Sequence, residues 1–312
     1  MIQKLLEQIE LKHAPVVVGL DPNPSMIPKH LYDEAVRSLR NKPEADDELE
    51  ITASAIWKFN RQIIDAVADL VPAVKPQIAM YEQFGIPGLQ AYLRTLRYCR
   101  EKGLIVIADV KRGDIGSTSQ AYARAHLGRT EANGVMRRIF DADFATVNPY
   151  FGTDGIEPFM DICRQEHKGI FILVKTSNPT NVEFQDVRLE DGTPFYELVG
   201  QKVSEWGAGL MDGKYSDVGA VVGATYPEQA KRLREVMPHT FILAPGYGAQ
   251  GATAKDLAGF FDADGQGCIV NSSRGIIAAY QKEKYAGFGP EGFAEAARAA
   301  AKDMIEDLSS VI

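Results

Sequence analysis

The sequence predicts an α/β fold, a single (β/α)8 TIM barrel with insertions after strands 1 and 5. Three observations lead there. Eight short β-branched runs recur along the chain and are separated by longer stretches of helical period, the pattern of a parallel sheet. The length of 312 residues exceeds the roughly 250 of a typical barrel by little more than two short insertions. No Ser/Gly-rich linker or shift of composition divides the chain, so residues 1–312 read as one catalytic domain.

The first run is Val16–Leu20, followed by an insertion over Pro22–Glu50 and a helical stretch over Ala53–Leu70. Ala73–Ile78 is the second run, with a helix over Leu89–Lys102 behind it. Leu104–Asp109 and Phe144–Val147 are the third and fourth, and Gly155–Gln165 carries the next helical period. Ile170–Lys175 is the fifth, and Asn178–Gly192 is the second insertion, followed by a helix over Phe195–Trp206. Val218–Val222, Phe241–Ala244 and Cys268–Asn271 complete the strands, with helices over Pro227–Val236 and Ala254–Phe260 between them. A closing amphipathic helix spans Pro290–Leu308, with Pro290 near its first turn. An open doubly wound sheet would present similar strands and is the alternative architecture.

Composition narrows the function. At 45% hydrophobic and 24% charged residues the chain is an ordinary globular protein, neither disordered nor fibrous. Its net charge of −8 repels polyphosphate backbones, so nucleic acid is not an expected partner, whereas a locally basic pocket can still take a small anion. Cys99, Cys163 and Cys268 are odd in number and far apart, which fits a reducing compartment rather than a disulfide framework or a zinc site. The five histidines lack the spacing of a helical metal site. The first twenty residues read as neither signal peptide nor membrane span, and cytoplasm is the expected location.

A barrel places its chemistry at the carboxyl ends of its strands. Those ends read Asp21, Lys75, Asp109-Val-Lys111, Asn148, Lys175-Thr-Ser177, Pro245-Gly246 and Asn271-Ser-Ser-Arg274, a dense set of polar groups expected to line the mouth. Asp109-Val-Lys111-Arg-Gly-Asp114-Ile is the sharpest of them. Alternation along a strand points Asp109 and Lys111 the same way, and Lys75 on the neighbouring strand brings a second ammonium near. A self-neutralising ion pair is the bland reading, but buried charges at a barrel mouth need a reason to be there. Gly246-x-Gly248-x-x-Gly251 matches a dinucleotide fingerprint but sits at the wrong end of the chain, with no acid ending the next strand. It reads better as a phosphate loop, with Gln250 as a donor and Arg274 as a guanidinium fork, or else as a flexible turn beside a surface arginine. Ser177 and Asn178 suit either the polar edge of a heterocycle or plain turn chemistry, and Asp21 either a ribose hydroxyl or a helix cap.

Taken together, Gly-Leu-Asp21, Val-Lys75-Pro, Asp109-Val-Lys-Arg-Gly-Asp114-Ile, Thr-Ser177-Asn-Pro and Pro-Gly-Tyr-Gly-Ala-Gln250-Gly resemble the orotidine 5′-phosphate decarboxylase family, in particular its longer bacterial branch. The resemblance runs from Asp21 to Arg274. It implies cofactor-independent decarboxylation of orotidine 5′-phosphate to uridine 5′-phosphate in pyrimidine biosynthesis, with no metal. It makes Lys111 the proton donor of a Lys75–Asp109–Lys111–Asp114 network, with Asp114 and Thr118 supplied by the partner of a homodimer with shared sites. Ser177 would meet the pyrimidine, Asp21 the ribose, and Gln250 with Arg274 the phosphate. Shorter members have glycine before that arginine, where this chain has Ser273. The competing readings are a magnesium-dependent sugar-phosphate aldolase or keto-acid phosphate decarboxylase of the same superfamily, and a non-catalytic nucleotide-binding barrel. No role is assigned to either insertion.

Overall fold

The structure is a computed structural model and describes residues 1–39, 48–248 and 251–312. Eight strands form the barrel: β1 (Val16–Leu20), β2 (Ala73–Pro76), β3 (Ile105–Arg112), β4 (Phe144–Val147), β5 (Gly169–Lys175), β6 (Tyr215–Val222), β7 (Thr240–Pro245) and β8 (Cys268–Ser272). Each pairs in parallel with the next, and β8 returns to β1 through Val16 opposite Val270. That last pairing closes the sheet and removes the open doubly wound alternative.

Alternation sorts the strand side chains into two cores. Val17, Ala73, Ile105, Ile107, Phe144, Phe171, Phe241 and Ile269 fill the interior. Val16, Val18, Val74, Val106, Ala145 and Ile172 face outward and pack under the ring of helices. The helix Ile2–Lys12 turns Ile2, Leu5 and Leu6 into the amino-terminal end of the interior, so that end is plugged and the opposite end stays open.

Several boundaries differ from the sequence expectation, for local reasons. A helix over Gly116–His126 follows β3, although its segment has no apolar stripe; it buries Ser119, Ala123 and His126 instead. The expected helix over Ala254–Phe260 is a four-residue helix, Ala254–Leu257, that tightens into a 3-10 turn. The closing helix is Phe293–Ser309, because Gly289 with φ 64° and ψ 180° breaks the path and leaves Pro290 ahead of the first turn. A small hairpin, Thr130–Ala132 with Val135–Arg137, and a short antiparallel strand, Met211–Asp212, decorate the barrel. The insertion after β1 contains a 3-10 turn, Pro24–Met26, and the helix Lys29–Leu39, and its residues 40–47 lie outside the described residues. The insertion after β5 begins with the 3-10 segment Pro179–Glu183 and folds back onto the end of its own strand.

Candidate active site

The open end of the barrel holds a cavity of about 660 Å³. Its depth is apolar, with Leu173, Val221 and Leu243 from β5, β6 and β7. Its walls carry Asp21, Lys75, Asp109, Lys111, Ser177 and Arg274, so six of the nine residues singled out from sequence meet in one space. They come from five segments spread over more than 250 positions, Asp109 and Lys111 sharing β3, gathered because every parallel strand delivers its carboxyl end to the same rim.

At the centre stands Asp109. Its Oδ2 accepts from Lys75 Nζ at 2.6 Å and its Oδ1 from Lys111 Nζ at 2.5 Å. Lys75 and Asp109 are buried, whereas the Lys111 side chain is 45% exposed, toward the space a ligand would fill. Burial by itself would raise the Asp109 carboxyl, but the two ammonium groups reverse that effect and hold it well below the usual carboxylate range. Burial likewise works to lower Lys75, and the charges of Asp109 and Asp21 overcome it, so Lys75 stays raised and protonated. Asp21 Oδ1 is buried with no hydrogen-bond partner among the described residues.

Lys111 does not reach Asp109 by simple alternation. The β3–β4 register breaks after Ala108, which faces Ala145, and resumes at Arg112 facing Val147. Within this bulge Lys111 has φ 44°, a left-handed conformation that side-chain-bearing residues disfavour. The hydroxyl of Thr146, on the inward face of β4, accepts from the backbone N–H groups of Val110 and Lys111 at 2.9 Å each and donates to Asp109 Oδ1 at 3.0 Å. Thr146 was not among the residues expected in the site. Its signal is a hydroxyl at an inward position of an otherwise apolar strand.

Two strand-end residues expected at the mouth are elsewhere. Lys175 is fully buried on the outer side of β5, where Nζ donates to Asn181 at 2.5 Å and to Asp186 at 2.5 Å, over the rings of Tyr196 and Tyr226. A register shift between Leu173 and Lys175 against β6 turns it away from the cavity. Asn148 caps the following turn by accepting from Tyr150 N at 3.0 Å and lies in a separate groove. Lys175 thus gives the β5 insertion a role: with Gln185, which accepts from Thr176 N at 2.9 Å, it fastens that insertion beside Ser177. Gly223 is required there, since a Cβ on it would sit 2.9 Å from that of Ser177.

The cavity wall is completed by Gly246 and Tyr247 of the loop after β7, by Ser272 at the end of β8, and by Ser273 and Arg274 beyond it. Gly246, Gly248 and Gly251 have φ of 115°, 71° and 93°, backbone that favours glycine, and the N–H groups of Gly248 and Gly251 donate to the carbonyls of Ala252 and Gly248 at 2.9 and 3.0 Å. Ser273 packs so tightly on β1 that a Cβ at Gly19 would meet its Oγ at 1.8 Å. Gln250 lies outside the described residues. Asp114 and Thr118 do not line this cavity: Asp114 Oδ1 accepts from Ile115 N at 2.8 Å, and Thr118 is exposed on the rim.

Residues 15–287 match the family described as orotidine 5′-phosphate decarboxylase / HUMPS. An orotidine 5′-phosphate decarboxylase of Caldicellulosiruptor saccharolyticus is 41% identical over 314 aligned positions, covering 99% of this chain and 98% of that protein. One from Rhodopirellula baltica is 44% identical over 293, covering 93% of each. Among solved structures, the OMP decarboxylase of Leishmania donovani superposes with a TM-score of 0.72 at 28% identity, covering 99% of this chain and 97% of that one.

Proposed function

The chain belongs to the orotidine 5′-phosphate decarboxylase / HUMPS family, and we propose that it converts orotidine 5′-phosphate to uridine 5′-phosphate and CO₂, with Lys111 as the proton donor. The observation that carries this reading is the Lys75–Asp109–Lys111 set at the barrel mouth. Breaking the bond between carbon 6 and the carboxylate leaves an electron pair in the plane of the ring, where the ring carbonyls do not delocalise it. An ammonium held at that point stabilises the developing charge without rearranging at the moment of reaction. Lys111 is that ammonium: anchored through Asp109, its proton moves to carbon 6 as CO₂ leaves, and the neutral amine is reprotonated from solvent. Asp109 also faces the substrate carboxylate. Two such charges about 4 Å apart repel by roughly 4 kcal/mol at an effective dielectric of 20, a secondary contribution to the barrier.

The rest of the cavity distributes over the substrate. The partnerless Asp21 Oδ1 suits a ribose hydroxyl, Ser177 the polar edge of the pyrimidine, and Arg274, with Gln250, the phosphate. In the magnesium-dependent reading Asp109 would hold the metal, but both of its oxygens already accept from ammonium groups, which favours the proton-donor reading.

Asp114 and Thr118 we assign to the active site of a partner subunit in a homodimer. What supports this is their place on the rim outside their own cavity, beside Ile115, Tyr150 and Phe151, which are 54%, 79% and 49% exposed. Three free, buried cysteines agree with a cytoplasmic location, and among the described residues no helix is long and apolar enough to cross a membrane. The deciding experiment incubates the purified protein with orotidine 5′-phosphate, with and without a strong chelator, and quantifies uridine 5′-phosphate. Equal turnover in both arms is expected. No product overturns the reading, and turnover abolished by the chelator favours the metal-dependent alternative.

A further inference from the structure

We infer that Thr146 is a positioning residue for this decarboxylation: its hydroxyl locks the Asp109 carboxylate and the Lys111 backbone into one register. The inference rests on the functional reading above.

A hydroxyl has one proton and two lone pairs, and here all three are used. The N–H groups of Val110 and Lys111 can only donate, so the Thr146 oxygen accepts from both. Its own proton is then directed to Asp109 Oδ1, the remaining partner among the described residues. Every group touching Asp109 in this network, Lys75, Lys111 and Thr146, is a donor, so the carboxylate is held both ionised and fixed in rotation. Thr146 is 1% exposed, and its three bonds stay out of competition with water.

The backbone contacts matter as much. Between Ala108 and Arg112 the chain leaves the β3–β4 ladder, and the two N–H groups stranded there find a side chain in place of a strand. One of them belongs to Lys111, whose left-handed φ of 44° would otherwise have little to hold it. Lys111 is a long, half-exposed side chain; where its ammonium points depends on how its Cα is anchored. Thr146 supplies that anchor while making no bond of its own to spare for substrate. Loss of the hydroxyl should therefore loosen the proton donor more than it weakens substrate binding.

The test compares Thr146→Val, which keeps the shape and removes the hydroxyl, with Thr146→Ser, which keeps the hydroxyl, alongside the parent enzyme. Melting temperature is recorded for each. The expected result is a kcat about 10- to 100-fold lower in T146V with KM within about threefold, and T146S within about threefold of the parent in both. A T146V kcat within about threefold of the parent overturns the inference, as does a T146S as impaired as T146V, which would mean packing rather than hydrogen bonding. Should T146V fail to fold, T146S is compared with T146C, of nearly the same shape but with a weak S–H donor. A cysteine kcat about tenfold below serine supports the inference, and equality overturns it. A parent without turnover overturns the functional reading and this inference together, whereas an active parent with an unimpaired T146V overturns this one alone.

Discussion

Replacing Asp109 with asparagine keeps the shape of the central side chain and removes its charge. Two ammonium groups then face each other across a neutral amide. Lys111, 45% exposed, can swing into the cavity, so little of the cost falls there. Lys75 cannot, with only 6% of its side chain exposed, and of its two anionic neighbours only Asp21 remains. Removing one member of a buried ion pair costs about 3–5 kcal/mol, and a large domain loses about 2–4 °C of melting temperature per kcal/mol, so Asp109→Asn should melt about 6–20 °C below the parent at pH 7. The pH dependence carries a sign. In the parent, Lys75 is raised above its ordinary 10.5, so its stabilisation is fully present below that value and is lost as pH climbs past it. In the variant, burial prevails and Lys75 drops below 10.5, so the penalty of protonating it in the fold is relieved as pH rises toward that value. The parent's Asp109, held below its ordinary 3.8, contributes stability above that value and loses it as pH falls further. The gap between the two proteins should therefore be widest across neutral pH and narrow toward both extremes. Thermal melts followed by circular dichroism from acid to alkaline pH measure it directly. A gap at pH 7 under about 2 °C, or one that widens steadily with pH, would refute the ion-pair reasoning.

Lys111→Ala and Lys111→Gly should both lose nearly all turnover, but glycine tolerates φ 44° and should be the more stable by about 0.5–1 kcal/mol in urea denaturation; a more stable alanine variant would contradict the bulge geometry. If Asp114 serves the partner's site, equal mixing of inactive Lys111→Ala and Asp114→Ala dimers with subunit exchange should restore about a quarter of parent activity, because about half the dimers are mixed and each carries one intact site. Exchange shown by native mass spectrometry without any return of activity would place Asp114 in its own subunit's site. Lys175→Met leaves the buried Asn181 Oδ1 without its donor, a cost of about 1–3 kcal/mol, while Asp186, 37% exposed, can turn to water. The melting temperature should fall by about 2–12 °C and KM should rise through Ser177, and a shift under about 1 °C would show that Lys175 is no anchor.

Much of this protein is written in its sequence. Strand alternation is a local property of φ and ψ, so the β-branched runs mark β1 to β8, and period two puts Val17, Ile105, Ile107 and Phe171 on the opposite face of their strands from their apolar neighbours; closure of the barrel decided that this face is the interior. Barrel topology then carries Asp21, Lys75, Asp109, Ser177 and Arg274 to one rim, since all eight carboxyl ends converge whatever their distance along the chain. Other features were settled only when the strands paired. Two register shifts, in β3 before Lys111 and in β5 before Lys175, send one lysine into the cavity beside Asp109 and the other outward to Asp186. In the sequence both simply follow a β-branched run, and alternation alone would give each the same inward direction. The difference comes from what each strand end meets: for β3 the Thr146 hydroxyl, 35 residues beyond Lys111, which takes the bulged N–H groups, and for β5 the insertion 6 to 11 residues beyond Lys175, which folds over the end of the strand. Periodicity records which face a residue prefers within its own strand. Where a strand leaves its ladder depends on the partner it is paired with, and that is a property of the closed barrel.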